Sequence, residues 1–220
     1  MLRRILATAI IAGFVAGVAL SLVQSVWVAP LILHAETYEV AAAAATGEAA
    51  AAQQPWAPDD GVERTMYSAL ANVVAGVAFG LVLVGAISLS GREVDWRRGL
   101  LWGLGGFAAF ALAPAIGLLP DPPGVDAGPL LGRQIWWLGT VAASAAGLAA
   151  LVFARRPALK LGGVALLILP HAIGAPHVDI YGGATPVDVI DEFIVASLVT
   201  TGLFWLTLGG FTGLLYRRFA

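Results

Sequence analysis

Six long apolar segments constrain the fold of this chain more than any other feature of its sequence. They cover residues 5–33, 66–89, 99–119, 135–154, 159–173 and 193–216, with boundaries that are approximate. An α-helix needs about 20 apolar residues to cross a bilayer. Charged residues make up only 12% of the chain, whereas a soluble domain carries about 25%. We therefore predict an all-α, polytopic transmembrane helix bundle that forms one integral membrane domain over residues 1–220.

The number of spans depends on how two of these segments are interpreted. The segment 5–33 is too long for the apolar core of a signal peptide, so we expect a retained transmembrane helix. Its Gly13 and Gly17 have the spacing of a close helix–helix contact. The segment 159–173 extends only about 22 Å as a helix, less than the roughly 30 Å hydrocarbon core. We expect six spans, and five if this short segment is re-entrant.

The positions of the basic residues predict the orientation. With a cytoplasmic N-terminus and six spans, ten of the twelve basic residues lie on the cytoplasmic side. These ten are Arg3, Arg4, Arg92, Arg97, Arg98, Arg155, Arg156, Lys160, Arg217 and Arg218. Only Arg64 and Arg133 lie outside, as the positive-inside rule favours. We therefore expect both termini to be cytoplasmic and the protein to be a multi-pass protein of the inner (cytoplasmic) membrane.

The acidic residues and histidines follow the opposite pattern. In this topology twelve of the fourteen acidic residues and all three histidines lie on the outer face. Residues 34–65 are predicted to form an external, acidic and Ala-rich loop, whose alanines could form a marginal helix. A surface of carboxylates and imidazoles attracts cations and suits divalent transition metals such as Co²⁺, Ni²⁺ or Zn²⁺. The alternative is that acidic residues accumulate outside only because basic residues are retained inside.

Candidate metal ligands occur in two of the external segments. The stretch 170–179 is predicted to be a turn at the end of a short membrane helix, and each of its histidines follows a proline. It contains His171, His177 and Asp179, and the other segment adds His34, Glu36 and Glu39. If residues 34–39 are helical, the two glutamates share a face at i, i+3. The alternative is an interfacial turn whose histidines simply lie at the water boundary.

Several classes of function are excluded or disfavoured. The absence of cysteine rules out disulfides, thiolate ligands and thiol catalysis. No Gly-Lys-Ser/Thr loop is present, so we expect no bound nucleotide. The basic residues form short flanks of membrane helices, so nucleic-acid binding has no support. Two rivals to transport stay open: a membrane-embedded, metal-dependent hydrolase acting at the outer interface through the same histidines, and a structural or assembly subunit without metal contact. A recognised catalytic spacing such as HExxH is missing, and we expect no enzyme.

Two short motifs link the chain to a known family. They are Arg133-Gln134-x-Trp136-Trp137 and residues 170–176, Pro-His-x-Ile-Gly-Ala-Pro, with Gly117-Leu118-Leu119-Pro120 between the third and fourth spans. With these motifs the chain resembles the CbtA family of predicted cobalt transporter subunits over nearly its whole length. The resemblance implies a membrane subunit that transports a divalent metal, with Co²⁺ as cargo and no permanently bound cofactor. It also implies a partner, a small single-span, His-rich subunit like CbtB.

Overall fold

The computed structural model describes residues 2–47, 56–176 and 182–219, and this part of the chain is helical apart from its connections. The helices are α1 (Leu2–Val26), α2 (Val28–Thr46), α3 (Val62–Ser90), α4 (Trp96–Phe107), α5 (Ala113–Ala115), α6 (Leu130–Phe153), α7 (Pro157–Ile173) and α8 (Val187–Arg218). A π-helical turn, Ala108–Leu112, joins α4 to α5. No β-strand occurs among the described residues, only one isolated bridge between Val125 and Gly183. The predicted all-α fold is confirmed.

Four helices are long and apolar enough to cross a membrane: α1, α3, α6 and α8. Helix α7 is a shorter apolar helix of 17 residues, or about 25 Å. The predicted segment 99–119 corresponds to α4, the π-helical turn and α5, with each piece shorter than a span. The described residues therefore support several membrane spans, while the count of six and the cytoplasmic termini stay predictions.

The π-helical turn has a local cause in Pro114. The Ala113 N–H donates to the Ala108 carbonyl oxygen, five residues back instead of four. Proline has no N–H to donate, and its ring clashes with the carbonyl four residues before it. One wider turn relieves this clash and lets the helical path continue to Ala115.

The first apolar segment continues further than predicted. Helix α1 ends at Val26, Trp27 forms a turn, and α2 then runs on to Thr46. Pro30 lies in the first turn of α2, where the missing N–H has no helical partner to lose. Residues 34–46, which we expected in an external loop, are thus helical, because alanine is the best helix former.

The chain divides into two compact units. One comprises Met1–Pro30, Gly47–Leu104 and Val199–Ala220, and the other comprises Leu31–Thr46 and Gly105–Leu198. We refer to these as the terminal unit and the central unit.

In the terminal unit, α1 and α3 form an antiparallel pair at backbone contact. A Cβ atom added to Gly17 would lie 2.6 Å from the Asn72 carbonyl oxygen, and Gly13 and Gly76 meet even more closely. Asn72 also donates hydrogen bonds to Ser21 Oγ (3.2 Å) and Gln24 Oε1 (2.7 Å). The close contact predicted for Gly13 and Gly17 is confirmed, and the polar groups join the helices where lipid offers no partner.

A second antiparallel pair in the terminal unit joins α4 to the last part of α8. Gly99 lies against Gly209 and Gly213, and Gly103 lies against the Trp205 backbone. The Trp205 ring is buried, and its centroid is 5.2 Å from that of Phe79 on α3. Small residues thus allow the backbones to meet, and one large ring links this pair to α3.

In the central unit, α6 and α7 form an antiparallel hairpin. Gly147 and Gly163 are in close contact. A Cβ atom added to Gly147 would lie 2.7 Å from the Gly163 carbonyl oxygen, and one added to Gly163 would lie 2.8 Å from the Gly147 carbonyl oxygen. The connection at one end carries Arg155 and Arg156. The opposite end carries His171 beside the first turns of α6. The hairpin therefore separates guanidinium from imidazole by the length of α7.

Candidate functional site

The candidate site lies at the end of the central unit where α6 begins and α7 ends. There the Trp136 indole N–H donates to the Pro170 carbonyl oxygen at 3.2 Å. The Trp136 and His171 rings meet edge to face, with centroids 5.9 Å apart and planes at 65°. A Cβ atom on Gly117 would lie 2.5 Å from the Trp136 ring and 3.0 Å from Ala175 Cβ. We call this cluster of Gly117, Trp136, Pro170, His171 and Ala175 the motif junction.

The end of α7 explains why the Pro170 carbonyl is available. Helix α7 continues through His171 to Ile173, so the predicted turn begins at Gly174 instead of Pro170. Gly174 has a positive φ of 86°, which glycine adopts without strain, and its N–H also donates to Pro170. A carbonyl oxygen has two lone pairs, so the Pro170 carbonyl accepts the Trp136 N–H in addition to the Gly174 N–H. The Trp136 hydrogen bond thereby ties the last turn of α7 to α6.

His171 lies in that last turn and is half-buried. Its Nδ1 atom is buried and has no hydrogen-bond partner among the described residues. Leaving a buried acceptor or donor unpaired costs about 1–3 kcal/mol. A neutral imidazole nitrogen is also the commonest protein ligand for transition metals. The structure thus places an imidazole against Trp136, and one of its ring nitrogens has no hydrogen-bond partner in the described part of the chain.

The connections beside the motif junction are tied down by polar contacts. Arg133 in the first turn of α6 forms an ion pair with Asp121, and both side chains are largely shielded from solvent. Thr185 Oγ1 donates to the Pro123 carbonyl oxygen at 2.7 Å. The Ala184 N–H donates to the Gly124 carbonyl at 2.8 Å. Residues 123–124 of the connection after α5 and residues 184–185 before α8 are therefore held together by hydrogen bonds.

Helix α2 distributes its candidate ligands over different faces. Glu36 and Glu39 share one side, as predicted for a helix, but His34 is rotated from Glu36 by about 200°. His34 is exposed, and its Nε2 lies 3.4 Å from the Tyr38 hydroxyl one turn later. Glu39 packs its Cβ against Gly124 of the connection described above, 3.4 Å from a Cβ added there. The glutamate face of α2 therefore adjoins Gly124 of the connection after α5.

The described residues include no group of three or more histidine, aspartate or glutamate side chains close enough to hold a metal ion. Of the six predicted ligands, His34, Glu36, Glu39 and His171 lie in the described part of the chain. His177 and Asp179 lie outside it. The six-residue ligand set consequently stays a prediction.

The comparison with protein families identifies the chain. A family model described as "Probable cobalt transporter subunit (CbtA)" matches residues 2–217. The chain belongs to the CbtA family. No curated protein and no solved structure matches it. The predicted resemblance is thus confirmed, and the CbtA description identifies the chain as a membrane subunit involved in cobalt transport and implies a partner in a transporter complex. A transporter subunit is not an enzyme, in keeping with the expectation from the sequence.

Two features of this CbtA chain escaped the sequence analysis. The sequence analysis names Trp136 only as part of a family motif, whereas in the structure Trp136 contacts Pro170 and His171. The Arg133–Asp121 ion pair was also missed. Its one signal was that Arg133 and Arg64 are the only basic residues expected on the acidic side.

Proposed function

We propose that this CbtA chain is the metal-capturing membrane subunit of a cobalt transporter, with the motif junction at the core of the capture site. The observation that carries the proposal is the position of His171. Its ring packs edge to face with Trp136, its buried Nδ1 has no partner among the described residues, and it lies where the two family motifs meet. Imidazole nitrogen is a suitable ligand for Co²⁺.

The remaining ligands in this proposal come from the neighbouring segments. His177 and Asp179 follow His171 within eight residues of the chain. Glu39 and Glu36 lie on the face of α2 that adjoins Gly124, and His34 contributes as a more peripheral residue. Because these groups lie on the predicted outer face, they would collect a hydrated dication before it enters the membrane.

A second subunit completes the pathway in this proposal. Every acidic residue of the described long apolar helices lies near a helix end, and an ion path without a central carboxylate is unusual for a proton-coupled carrier. The family description calls the protein a subunit. A small single-span, His-rich protein of the CbtB type would supply further ligands and pass the ion onward.

Uptake of radioactive Co²⁺ into proteoliposomes tests the proposal, with the CbtA chain alone and together with its candidate partner. We expect uptake with the partner, and at least a tenfold weaker Co²⁺ affinity in the His171→Ala variant. Ile173→Ala is the matched control, because this exposed side chain lies in the same last turn of α7 and has no ligand atom.

Two results together would contradict metal capture at this site. The first is absence of uptake in both preparations, and the second is unchanged Co²⁺ binding in both His171→Ala and His177→Ala. Uptake that survives both substitutions would keep the transport role and move the capture site elsewhere.

A further inference from the structure

A groove in the terminal unit has no role in metal capture. It has a volume of about 330 Å³ and is lined by Asp95, Trp96, Gly213, Leu214, Arg217 and Arg218. It lies where α4 begins and α8 ends. All of its lining residues belong to the terminal unit, whereas the motif junction belongs to the central unit.

The walls of the groove are apolar and exposed. The Trp96 side chain is 47% exposed and the Leu214 side chain 53% exposed. Gly213 touches the Asp95 backbone, so the two helices meet directly beneath the groove and close its floor. An open apolar wall next to an interfacial tryptophan suits a hydrocarbon chain better than it suits water.

The rim of the groove is cationic. Arg217 and Arg218 are exposed in the last turn of α8, and the Arg97 guanidinium lies 5.3 Å from the centre of the Trp96 ring. Asp95 is the one acidic lining residue, and its carboxylate accepts the Arg98 backbone N–H at 2.9 Å as the cap of α4. Two arginines therefore line the groove against one carboxylate that already caps α4.

We propose that this groove binds one anionic phospholipid, with its phosphate on Arg217 and Arg218 and an acyl chain along Leu214 and Trp96. Guanidinium forks match phosphate oxygens in pairs. Basic pockets between membrane helices are a recurrent way to hold anionic headgroups. The combination of paired cations with an exposed apolar wall distinguishes a lipid from a free phosphate, which would use the arginines alone. This inference does not depend on the proposed metal capture.

Native mass spectrometry of the full chain, incubated with phosphatidylglycerol or phosphatidylcholine in detergent, tests the proposal. We expect selective retention of one phosphatidylglycerol molecule, and retention about thirtyfold weaker in Arg217→Gln/Arg218→Gln, since each arginine near an anionic headgroup contributes roughly fivefold. Arg155→Gln/Arg156→Gln is the matched control, because it removes the same charge from another basic flank and should retain the lipid as the parent chain does.

A second variant separates the groove from charge alone. Leu214→Trp fills the apolar wall and keeps every arginine, so it should also weaken retention, and it remains informative if the double arginine variant does not fold. An equal loss of phosphatidylglycerol in Arg217→Gln/Arg218→Gln and in Arg155→Gln/Arg156→Gln would overturn the proposal, because retention of the anionic lipid would then depend only on the net charge of the chain. Inorganic phosphate that displaces the lipid at equimolar concentration would overturn the assignment to a lipid, as would full retention in Leu214→Trp.

Discussion

Trp136 shows how one polar atom on a large ring can position a functional side chain. Its N–H donates to the Pro170 carbonyl oxygen, which also accepts the Gly174 N–H, and its ring packs edge to face with the His171 imidazole. Gly117 contributes by having no side chain, since any Cβ atom there would collide with the indole. The contact is therefore specific for glycine at one position and for an indole at the other.

Replacing Trp136 with phenylalanine removes the N–H and keeps most of the ring. We expect the free energy of unfolding to fall by about 1 kcal/mol, the usual net contribution of one hydrogen bond, and Co²⁺ affinity to fall because His171 loses a fixed neighbour. Thermal unfolding in detergent and Co²⁺ titration measure the two effects. Trp137→Phe is the control, since that ring packs against Phe110 at 6.4 Å. Equal Co²⁺ affinities in the two variants would mean that Trp136 has no positioning role.

Asp95 gives the terminal unit a defined dependence on pH. The Arg98 backbone N–H, which bonds to its carboxylate, holds the pKa of Asp95 below its ordinary value of 3.8, and the charges of Arg98 and Arg217 add to this. A lowered folded pKa means that the stabilisation is complete above 3.8 and is lost as the pH falls through the folded value. Because asparagine still accepts the cap hydrogen bond, Asp95→Asn removes only the charge.

We therefore expect the parent chain to unfold at a higher temperature than Asp95→Asn at neutral pH. The difference should stay constant down to about pH 5, begin to shrink near 3.8, and disappear only below the lower folded pKa of Asp95, where the parent carboxylate becomes protonated too. Thermal unfolding followed by tryptophan fluorescence from neutral to acid pH measures it. A difference that persists unchanged at the acid end would refute the electrostatic role.

At the scale of whole helices, glycine determines which helices pair. The α1–α3, α4–α8 and α6–α7 pairs all meet at glycines on both partners, so their backbones touch. In lipid the hydrophobic effect does not drive helices together, and close packing with backbone contact takes its place. Each pair is antiparallel, and the α6 and α7 helices are also consecutive in the chain.

Gly76→Leu should break the α1–α3 pair, because its Cβ atom would enter the backbone of Gly13 and no flexible side chain is there to move. We expect a loss of stability of at least 1–3 kcal/mol, the usual cost of overpacking. Gly85→Leu on the same helix is the matched control, since nothing lies within 4 Å of its Cβ position. Thermal unfolding in detergent compares them, and equal melting temperatures would show that the contact contributes nothing to stability.

At the scale of the whole molecule, the distribution of charge and the α6–α7 hairpin support the same orientation of α7 in the membrane. Arg155 and Arg156 precede α7, and His171 lies in its last turn, about 20 Å along the helix. If α7 crosses the membrane, the arginines stay with the cytoplasm and the imidazole reaches the other side.

Single cysteines at the two ends of α7 can test this orientation directly, because the chain has no cysteine of its own. We expect Arg156→Cys to react with a membrane-impermeant maleimide only from the cytoplasmic side, and Ala172→Cys only from the opposite side. Both positions are exposed at the protein surface. Labelling of both from the same side would show that α7 is re-entrant and would remove the topological basis for the outer capture site.

The class of fold and the approximate positions of the long helices followed from the sequence alone, although the observed helices begin two to six residues before the predicted starts. Apolar length and the scarcity of charge require helices in a bilayer, because only a helix pairs its backbone groups within one segment. The short segment 159–173 indeed corresponds to α7, and Gly13 and Gly17 indeed contact another helix. The sequence left residues 34–46 open between an exposed loop and a marginal helix, and the structure shows them as part of α2.

Contacts between residues that are distant in the sequence are seen only in the folded chain. That Trp136 bonds to Pro170, that Arg133 pairs with Asp121 and that Glu39 packs near Gly124 depends on how helices pack, and sequence spacing carries no such information. The spacing of apolar residues in the sequence indicates which face of a helix is apolar. A contact between two helices depends instead on shape and hydrogen bonding across their interface. For that reason the motifs were visible in the chain, and their junction appeared only in the fold.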